Sequence, residues 1–361
     1  MSIHNNYVAI IAGGIGSRFW PESRQKRPKQ FLDLLGTGRS LLQWTYNRFK
    51  DICPRENIYV ITHSSYVNLV REQLTEIPAQ NIISEPSRKN TAPAAAYITH
   101  KIHALNPKAN IIVSPADHLI MDERAFERTA FNALDFVARN NALLTMGIKP
   151  TRPDTGYGYI QYEIGDNADK VNKVKTFTEK PNLELARTFL KSGDFLWNAG
   201  IFVWNAAVFI DALAKYLPEL NDVFLQATTL YNTPKEEKAM DSLYMHCTNI
   251  SIDYGVMEKA DNVFVIPANF GWSDLGTWES AYEHSEKDYL GNAVYGDNVM
   301  VIDASECMVK APEGKLVVLQ GLEQFIVVDT QDVLLICERN KEQQIKDYVT
   351  EVKRDKGEVF L

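Results

Sequence analysis

A glycine-rich stretch that directly follows a predicted strand constrains this chain more than any other feature. Residues 12–18 read AGGIGSR, and the uncharged, β-prone run 7–11 (YVAII) precedes them. Such a run is typical of a buried strand in a parallel sheet. Glycine allows positive φ and close approach of the backbone to a ligand, so successive N–H groups can form a concavity for an anion. With Arg18 and Lys29 beside it, this loop is predicted to bind phosphate.

Two common phosphate motifs do not match the loop. The P-loop requires Gly-Lys-Ser/Thr, and this triplet does not occur in the sequence. The dinucleotide fingerprint, begun at Gly14, requires glycine at the position of Phe19. An alternative is a glycine turn that only joins a strand to a helix. The intervals of five further residues argue against this alternative: Arg18, Pro21, Pro28, Lys29 and Gln30.

The stretch resembles the signature loop of the sugar-nucleotide pyrophosphorylases, nucleotidyltransferases that join a sugar 1-phosphate to a nucleoside triphosphate. Its runs 19–23 (FWPES) and 28–32 (PKQFL) are similar in particular to the mannose-1-phosphate guanylyltransferase branch. The resemblance implies transfer of GMP from GTP to α-D-mannose 1-phosphate, with GDP-mannose and pyrophosphate as products. It also implies Mg²⁺ as the cofactor and a homodimer, because related enzymes often pair through their C-terminal region.

Composition limits the classes of partner and the compartment. The net charge of −8 and the pI of about 5.5 indicate neither a nucleic-acid partner nor an anionic membrane. The four cysteines show no CxxC spacing, which favours reduced thiols. The N-terminus lacks the pattern of a signal peptide, and no apolar run is long enough for a membrane span. We therefore expect a cytoplasmic protein.

Strands and helices alternate from the N-terminus to about residue 148, for example a helix from Ser40 to about Ile52. This alternation predicts an α/β fold with a doubly wound, mostly parallel, Rossmann-like sheet. Ligands of such sheets bind beyond the carboxyl ends of the strands. The glycine loop, the segment 85–91 and Asp117 all follow predicted strands, so they are predicted to meet a common ligand.

The composition changes beyond Leu290 to short runs rich in valine and isoleucine, followed by a polar helix over about 341–353. We place a boundary near residue 288, which gives a catalytic nucleotidyltransferase domain over 1–288 and a small β-rich domain over 289–361. The family's domain at this place is often compared to a left-handed β-helix, but the hexapeptide rhythm of this sequence is poor. The sequence leaves no room for the isomerase domain fused to some long relatives, so one activity is expected.

The chemistry of the implied reaction predicts the kind of site. A sugar 1-phosphate is largely dianionic at pH 7, because its second pKa is about 6. Its oxygen can attack the α-phosphorus in line without a general base, so catalysis reduces to positioning and charge neutralisation. This predicts cations, backbone donors and a carboxylate-held Mg²⁺. Consistently, the sequence contains neither GxSxG nor HExxH.

Asp117 and Asp274 are the predicted metal ligands. Asp117 ends an apolar strand, Asp274 lies in GWSDLGTW, and the resemblance matches both to the family's metal-binding pair. One or two carboxylates, completed by waters and phosphates, are a common environment for Mg²⁺. The alternatives are a turn aspartate for Asp117 and a helix N-cap for Asp274.

The resemblance assigns the remaining roles residue by residue. The catalytic residues are Arg18, Lys29, Asp117 and Asp274. The nucleotide-binding residues are Ala12, Gly13, Gly14, Gly16, Ser17, Glu85, Arg88, Asn90 and Thr91. The residues that bind the sugar phosphate are Gly156, Tyr157, Glu179, Lys180, Asn198 and Asp253. Asn90 or Thr91 could equally cap a helix, and both roles can hold together.

Mannose differs from glucose by its axial 2-hydroxyl, which Glu179 and Asn198 are the best candidates to read. A carboxylate accepts hydrogen bonds, and an amide both donates and accepts them. His100 and His103, spaced i, i+3 on a predicted helix, are expected on the surface.

Other functions remain open on the sequence alone. The same guanylyl transfer could use another sugar 1-phosphate, such as a heptose 1-phosphate. A nucleotide-sugar-binding regulator without catalysis is a hypothesis from another class. The presence of Arg18, Lys29, Asp117 and Asp274 argues against this second hypothesis, since a sensor does not need both metal ligands. A nicotinamide dehydrogenase is disfavoured by the failed fingerprint.

Overall fold

The computed structural model describes residues 3–14, 16–163 and 170–361. The strands are β1 (Asn6–Ala12), β2 (Ile58–His63), β3 (Ile82–Glu85), β4 (Asn110–Pro115), β5 (Leu119–Ile120), β6 (Leu143–Ile148), β7 (Tyr159–Tyr162), β8 (Asn172–Thr178), β9 (Phe195–Asn205), β10 (Val263–Ala268), β11 (Trp272–Ser273), β12 (Ala293–Tyr295), β13 (Val299–Ile302), β14 (Met308–Lys310), β15 (Val317–Gln320), β16 (Phe325–Asp329) and β17 (Leu334–Glu338). The α-helices are α1 (Leu41–Phe49), α2 (Val67–Gln73), α3 (Thr91–Leu105), α4 (Glu123–Val137), α5 (Leu183–Ser192), α6 (Ala206–Tyr216), α7 (Pro218–Leu225), α8 (Glu236–Leu243), α9 (Trp278–Glu283) and α10 (Ile345–Lys356). Within these described ranges, every helix is too short or too polar to cross a bilayer.

Local signals place several of these elements. The predicted helix after Ser40 begins at Leu41, because the Ser40 hydroxyl accepts from the Gln43 amide at 3.2 Å while the Gln43 side chain accepts from the Ser40 amide at 3.0 Å. Such a reciprocal pair satisfies two backbone donors that a helix start leaves unpaired. Strand β3 (Ile82–Glu85) lies where the sequence predicts a strand before the segment 85–91.

The chain forms two compact units that each combine distant segments. The first unit comprises Met1–Gly13, Thr45–Ala116 and Ile120–Trp272. The second comprises Gly14–Trp44, Asp117–Leu119 and Ser273–Leu361. The glycine loop from Gly14 onward, Asp117 and Asp274 therefore belong to one unit. The boundary near residue 288 stays a prediction.

The first unit is an α/β sheet structure. In the part of the chain that the structure describes, its sheet has nine strands in the order β3-β2-β1-β4-β9-β6-β10-β8-β7. Strand β1 is parallel to β2 and β4, and β2 is parallel to β3, as the alternating pattern predicts. The long strand β9 runs antiparallel to β4, β6 and β7, which makes the sheet mixed beyond β4. Ala12 and Glu85 end parallel strands, so they lie at the same edge of this sheet.

The second unit contains the β-rich C-terminal region. Strands β12, β14 and β16 are parallel neighbours in one sheet, and β13 pairs in parallel with β15 in another. Successive strands thus alternate between two sheets, as in the coils of a β-helix. The residues 14–44 share the hydrophobic core of this unit: Phe19 and Trp278 are fully buried, with ring centroids 5.0 Å apart. Phe19 of the signature run is therefore a core residue.

Candidate active site

Lys29 forms the centre of a charged cluster in the second unit. It begins a short 3₁₀ helix after Pro28, and only 4% of its surface is exposed. Its Nζ donates to the backbone oxygen of Asp274 at 2.6 Å and lies 3.0 Å from Oδ2 of Asp117. Three predicted catalytic residues are thus brought together around one ammonium. Asp274 contributes a carbonyl oxygen to this cluster, which the sequence alone did not indicate.

The glycine loop is built around this lysine. Gly16 has a φ of 65°, and a Cβ at this position would lie 2.4 Å from Cβ of Lys29. A side chain at position 16 would therefore be strained in its backbone and would displace Lys29. A Cβ at Gly14 would meet no atom within 4 Å among the described residues. The Gly14 carbonyl accepts a hydrogen bond from the side-chain amide of Gln30 (Nε2) at 3.0 Å, which connects the two ends of the loop.

The two predicted metal ligands suit a hard cation. Burial raises the pKa of Asp117, but the Lys29 ammonium, His118 and hydrogen bonds together hold it below its usual range, so this carboxylate is ionised at neutral pH. Oδ1 of Asp274 accepts from the Gly276 amide at 3.1 Å. Among the described residues, no group of three or more acidic, histidine or cysteine side chains is placed to hold a metal ion. Two carboxylates alone fit Mg²⁺, which takes its other ligands from water and phosphate, better than they fit zinc.

Arg18 lies near a second cation that the sequence did not single out. It belongs to the 3₁₀ helix Ser17–Phe19, and its Nε is buried without a hydrogen-bond partner among the described residues. The Arg18 guanidinium lowers the pKa of Lys346, in the first turn of α10. Lys346 could not be identified from the sequence, because it lies in a polar helix more than 300 residues after Arg18. A bound phosphate would relieve the repulsion between these two charges.

In the first unit, Glu85 and Gly13 are brought together. Glu85 ends β3, is 6% exposed, and accepts a hydrogen bond through Oε1 from the hydroxyl of Tyr244. Its other oxygen lies 3.7 Å from the position that a Cβ on Gly13 would take. Burial raises the pKa of Glu85 to about 7, although the Tyr244 hydrogen bond and Arg88 both oppose this shift. Ala12, at the end of β1, accepts from the Thr62 hydroxyl at 2.8 Å.

The other predicted nucleotide-binding residues of the segment 85–91 have partners within the protein. Arg88 donates to the hydroxyl of Tyr66 at 2.7 Å. Asn90 is the N-cap of α3, since its Oδ1 accepts from the Thr91 amide at 2.9 Å. The Thr91 hydroxyl accepts from the amide of Ile252 at 2.9 Å. The capping role considered from the sequence is therefore present, and nucleotide binding by these three residues stays a prediction.

Hydrogen bonds to both the nitrogen and the oxygen of its side-chain amide hold Asn198 of β9 in place. Its Nδ2 donates to Asp253 at 3.0 Å, and its Oδ1 accepts from the Thr145 hydroxyl at 2.8 Å and from the Gly200 amide at 3.1 Å. Both lone pairs of Oδ1 are therefore used. One N–H of the amide is therefore left for a ligand, and the reading of a sugar hydroxyl by Asn198 stays a prediction. Thr145 could not be recognised from its sequence, since it lies in the apolar strand β6.

Acidic side chains surround the amide. Burial and the neighbouring Glu179 raise the pKa of Asp253, which begins a short π-helix, Asp253–Met257. The Glu179 side chain forms an ion pair with Lys180, and its backbone N–H donates to Glu258 at 3.0 Å. Such a group of acceptors, with one amide donor, has the chemistry to bind sugar hydroxyls.

The last two residues of the predicted sugar site differ in environment. The Tyr157 ring packs edge-on against Trp197 and Trp272, with centroid distances of 5.1 Å in both cases. It therefore supplies an apolar wall. Gly156 lies in an exposed turn, where its amide donates to Asp154 at 2.8 Å.

Comparison with known proteins adds an independent line of argument. The family model described as nucleotidyl transferase matches residues 7–290, and one described as MannoseP isomerase/GMP-like beta-helix domain matches residues 297–352. The first match covers more than half of the chain. The second agrees with the alternating parallel strands of the second unit.

Individual relatives and one solved structure match over most of this chain. A mannose-1-phosphate guanylyltransferase from Escherichia coli K12 is 37% identical over 97% of this chain and 74% of its own length. One from Salmonella montevideo is 39% identical over 95% of this chain and 73% of its own length. A solved structure from Thermus thermophilus, described as a mannose-1-phosphate geranyltransferase, has a TM-score of 0.87 at 28% identity, over 97% of this chain and 99% of that one.

Proposed function

Because the chain belongs to the nucleotidyl transferase family, we propose that it transfers GMP from GTP to α-D-mannose 1-phosphate, giving GDP-mannose and pyrophosphate. The guanylyltransferases that are 37% and 39% identical to it over the aligned residues support this function. One structural observation carries the proposal: the Lys29 ammonium contacts both the Asp117 carboxylate and the backbone carbonyl of Asp274. This cluster combines a fixed cation with carboxylates suited to a metal, as transfer at a triphosphate requires.

The reaction asks for charge neutralisation rather than proton transfer. A phosphate oxygen of the sugar 1-phosphate forms a bond to the α-phosphorus of GTP, and the bond from that phosphorus to the bridging oxygen breaks to release pyrophosphate. We propose that Lys29 neutralises charge developing during this displacement. Since its ammonium is already fixed by Asp117 and the Asp274 carbonyl, little reorganisation is needed during the reaction. Arg18 and Lys346 would hold the phosphates of the nucleotide, together with the backbone amides of Gly14, Gly16 and Ser17.

We propose that Asp117 and Asp274 hold Mg²⁺, which would offset the negative charge of the phosphates when bound. The donor chemistry of the two carboxylates supports this role. The backbone carbonyl of Asp274 is already engaged by Lys29, so its carboxylate is the group assigned to the metal.

Glu85 is the proposed reader of the guanine base. Guanine presents two neighbouring donors, its N1–H and its 2-amino group, whereas adenine presents an acceptor at N1. An ionised carboxylate only accepts hydrogen bonds, so it favours guanine. The burial of Glu85 and its closeness to the backbone at Gly13 support this role, because Tyr244 engages Oε1 and donors from the base would complete the hydrogen bonding of the buried carboxylate.

A substrate panel tests the function as a whole. We would incubate the protein with each of four nucleoside triphosphates and with mannose, glucose and heptose 1-phosphates, and measure pyrophosphate release. GTP with mannose 1-phosphate is expected to give the highest kcat/KM. A preference for a heptose 1-phosphate would replace the sugar assignment, and the absence of turnover with every pair would favour the regulatory hypothesis.

Asn198 is expected to contribute to the choice of sugar. A group fixed to bond one hydroxyl is left unpaired when the wrong epimer binds, which can discriminate strongly. We expect Asn198→Ala to narrow the preference for mannose 1-phosphate over glucose 1-phosphate, measured by competition kinetics. Asn57→Ala is the matched control, since Asn57 is also buried and its side-chain amide donates to the backbone carbonyls of His4 and Asn6. An unchanged ratio in Asn198→Ala would remove Asn198 from sugar selection.

We also propose a homodimer, formed through the β-rich region of the second unit. Leu316 and Val318 of the apolar run 316–319 are 63% and 54% exposed. Met300 and Ile302 of β13, whose strand pairs with β15, are 52% and 41% exposed. An apolar strand surface of this kind favours a covering partner. Light scattering at micromolar concentration is expected to give twice the chain mass of 41.0 kDa, and a single monomeric mass would contradict the dimer.

A cytoplasmic location is proposed for the same protein. All four cysteines, Cys53, Cys247, Cys307 and Cys337, are free and buried. Burial raises the pKa of both Cys53 and Cys247 to about 12, so their thiols stay protonated and unreactive. Free buried thiols support a reducing compartment.

A further inference from the structure

Among the described residues, Tyr244 is the one whose side chain donates a hydrogen bond to the Glu85 carboxylate. Its hydroxyl donates to Oε1, and both side chains are buried. Burial and Glu85 keep the pKa of Tyr244 well above its ordinary value, so the hydroxyl remains a donor at every pH of interest. With Oε1 engaged, Oε2 is the oxygen that lies near the backbone of Gly13.

Tyr244 is itself held by a buried network. Its ring packs edge-on against Tyr97, with centroids 6.3 Å apart. The hydroxyl of Tyr97 donates to Glu236 at 2.8 Å, and Nζ of Lys101 lies 2.6 Å from the other oxygen of Glu236. Lys101 belongs to α3 and Glu236 begins α8, so the ion pair ties these helices together. Because Tyr244 directly follows α8, this tie limits the movement of its hydroxyl relative to Glu85.

We propose that Tyr244 is a positioning residue for base selection: it fixes Glu85 in the orientation, and favours the ionised form, that accepts a hydrogen bond from guanine. The inference rests on the proposed function, because it requires a guanine nucleotide as the substrate. It adds a residue from the segment after α8 to a site otherwise made from the ends of β1 and β3. Tyr244 acts through Glu85 and need not touch the nucleotide.

The titration of Glu85 gives this role a distinct signature. In the part of the chain that the structure describes, the carboxylate interacts with Tyr244 and Arg88, which favour its ionised form, and with Cys247, whose thiol is neutral. With a pKa of about 7, Glu85 becomes protonated as the pH falls below that value and then loses its acceptor for guanine. The kcat/KM for GTP is therefore expected to fall toward acid pH. Loss of the Tyr244 hydroxyl raises the pKa of Glu85 and moves this fall to higher pH.

The test is the pH profile of kcat/KM for GTP and for ITP, which lacks the 2-amino group, in wild type and Tyr244→Phe. At pH 7 we expect Tyr244→Phe to lower kcat/KM for GTP by about fivefold, because raising the pKa of Glu85 from about 7 by about one unit reduces its ionised fraction from about a half to about a tenth. We expect the kcat/KM of the variant for GTP to recover toward pH 9. The ratio of kcat/KM for GTP to kcat/KM for ITP is expected to be smaller in the variant than in wild type, and the KM for mannose 1-phosphate is expected to be unchanged. The ratio of variant to wild type at each pH cancels the titration of the substrates' own phosphates.

Tyr231→Phe is the matched control. The Tyr231 hydroxyl is also buried in this aromatic cluster, but it donates to the carbonyl of Phe224 at 2.8 Å. This variant loses a comparable hydrogen bond and is expected to keep the wild-type pH profile and GTP:ITP ratio.

A double-mutant cycle separates positioning from general damage to the fold. In a Glu85→Gln background, where no carboxylate remains, Tyr244→Phe is expected to leave the pH profile and the GTP:ITP ratio unchanged. The same loss in both backgrounds, or a wild-type profile in Tyr244→Phe alone, would overturn the role of Tyr244. A wild-type protein that uses ATP as well as GTP would instead overturn the guanine assignment, and the inference with it.

Discussion

Replacing Asp117 or Asp274 with asparagine is expected to lower kcat by roughly 10²–10³-fold or more while leaving the fold intact. Each substitution removes one negative charge from the pair proposed to hold Mg²⁺. Asp274→Asn is the cleaner test of the two, because the backbone carbonyl that binds Lys29 is retained. Steady-state kinetics across a Mg²⁺ titration would measure the effect, with direct binding of Mn²⁺ followed by electron paramagnetic resonance as a second readout.

A surface aspartate provides the control for this experiment. The Asp261 side chain is 86% exposed and pairs with Lys215 at 3.3 Å, so Asp261→Asn is expected to retain wild-type kcat and metal binding. Near-normal turnover of Asp117→Asn or Asp274→Asn at saturating Mg²⁺ would remove that residue from the metal site.

For Lys29→Ala, we expect a fall in kcat of roughly 10²–10³-fold, as for the loss of one preorganised donor. If Lys29 instead only held the ground-state triphosphate, KM for GTP would rise and kcat would stay intact. Gly16→Ala should act in the same direction without altering any charge, because the added Cβ would displace Lys29. Wild-type kinetics for Lys29→Ala would contradict a role in catalysis.

An exposed lysine serves as the control for the loss of charge. The side chain of Lys341 is 48% exposed and pairs with Glu338. Lys341→Ala changes the net charge by the same amount as Lys29→Ala, and it is expected to keep the kinetics of the wild type.

The sequence predicts which residues lie at the edge of the sheet, but it does not predict the side-chain contacts that they make there. The bounds of β3 and the start of α1 follow from local patterns, and parallel pairing places Ala12 and Glu85 at one edge. The donor to Glu85 could not be predicted in this way. Tyr244 lies 159 positions away in a segment without a motif, and only tertiary packing brings it to the carboxylate.

Asn198 and His100 show that the chemistry available to a side chain depends on its neighbours in the fold. The capacity of an amide to accept depends on what already binds its oxygen, and Thr145 arrives from another strand. His100 was expected on the surface but is 5% exposed, between the rings of Phe224 and Tyr231. Burial lowers its pKa to about 4, so it is neutral, and Asn221 bonds its ring at 3.1 Å.

The irregular coils explain why the β-helix comparison looked poor from the sequence. The register pairs Val299 with Val317, a spacing of 18 residues, but Ala293 with Met308, a spacing of 15. A hexapeptide rhythm continues through 18 residues but is broken by 15, so a search for a constant period fails. Strand pairing tolerates the difference, because the connecting turns absorb it.

The shared core of residues 14–44 and 273–361 has a consequence for how the protein is made. The indole N–H of Trp20 donates to the carbonyl of Phe360 at 2.8 Å, across 340 positions of the chain. Strands β1, β2 and β4, by contrast, can pair once about a third of the chain has left the ribosome. The segment 14–44 therefore emerges early but completes its native contacts late, after translation has passed residue 360, since contacts between distant segments form slowly. A nascent chain would hold an ordered sheet edge long before it has a competent phosphate loop.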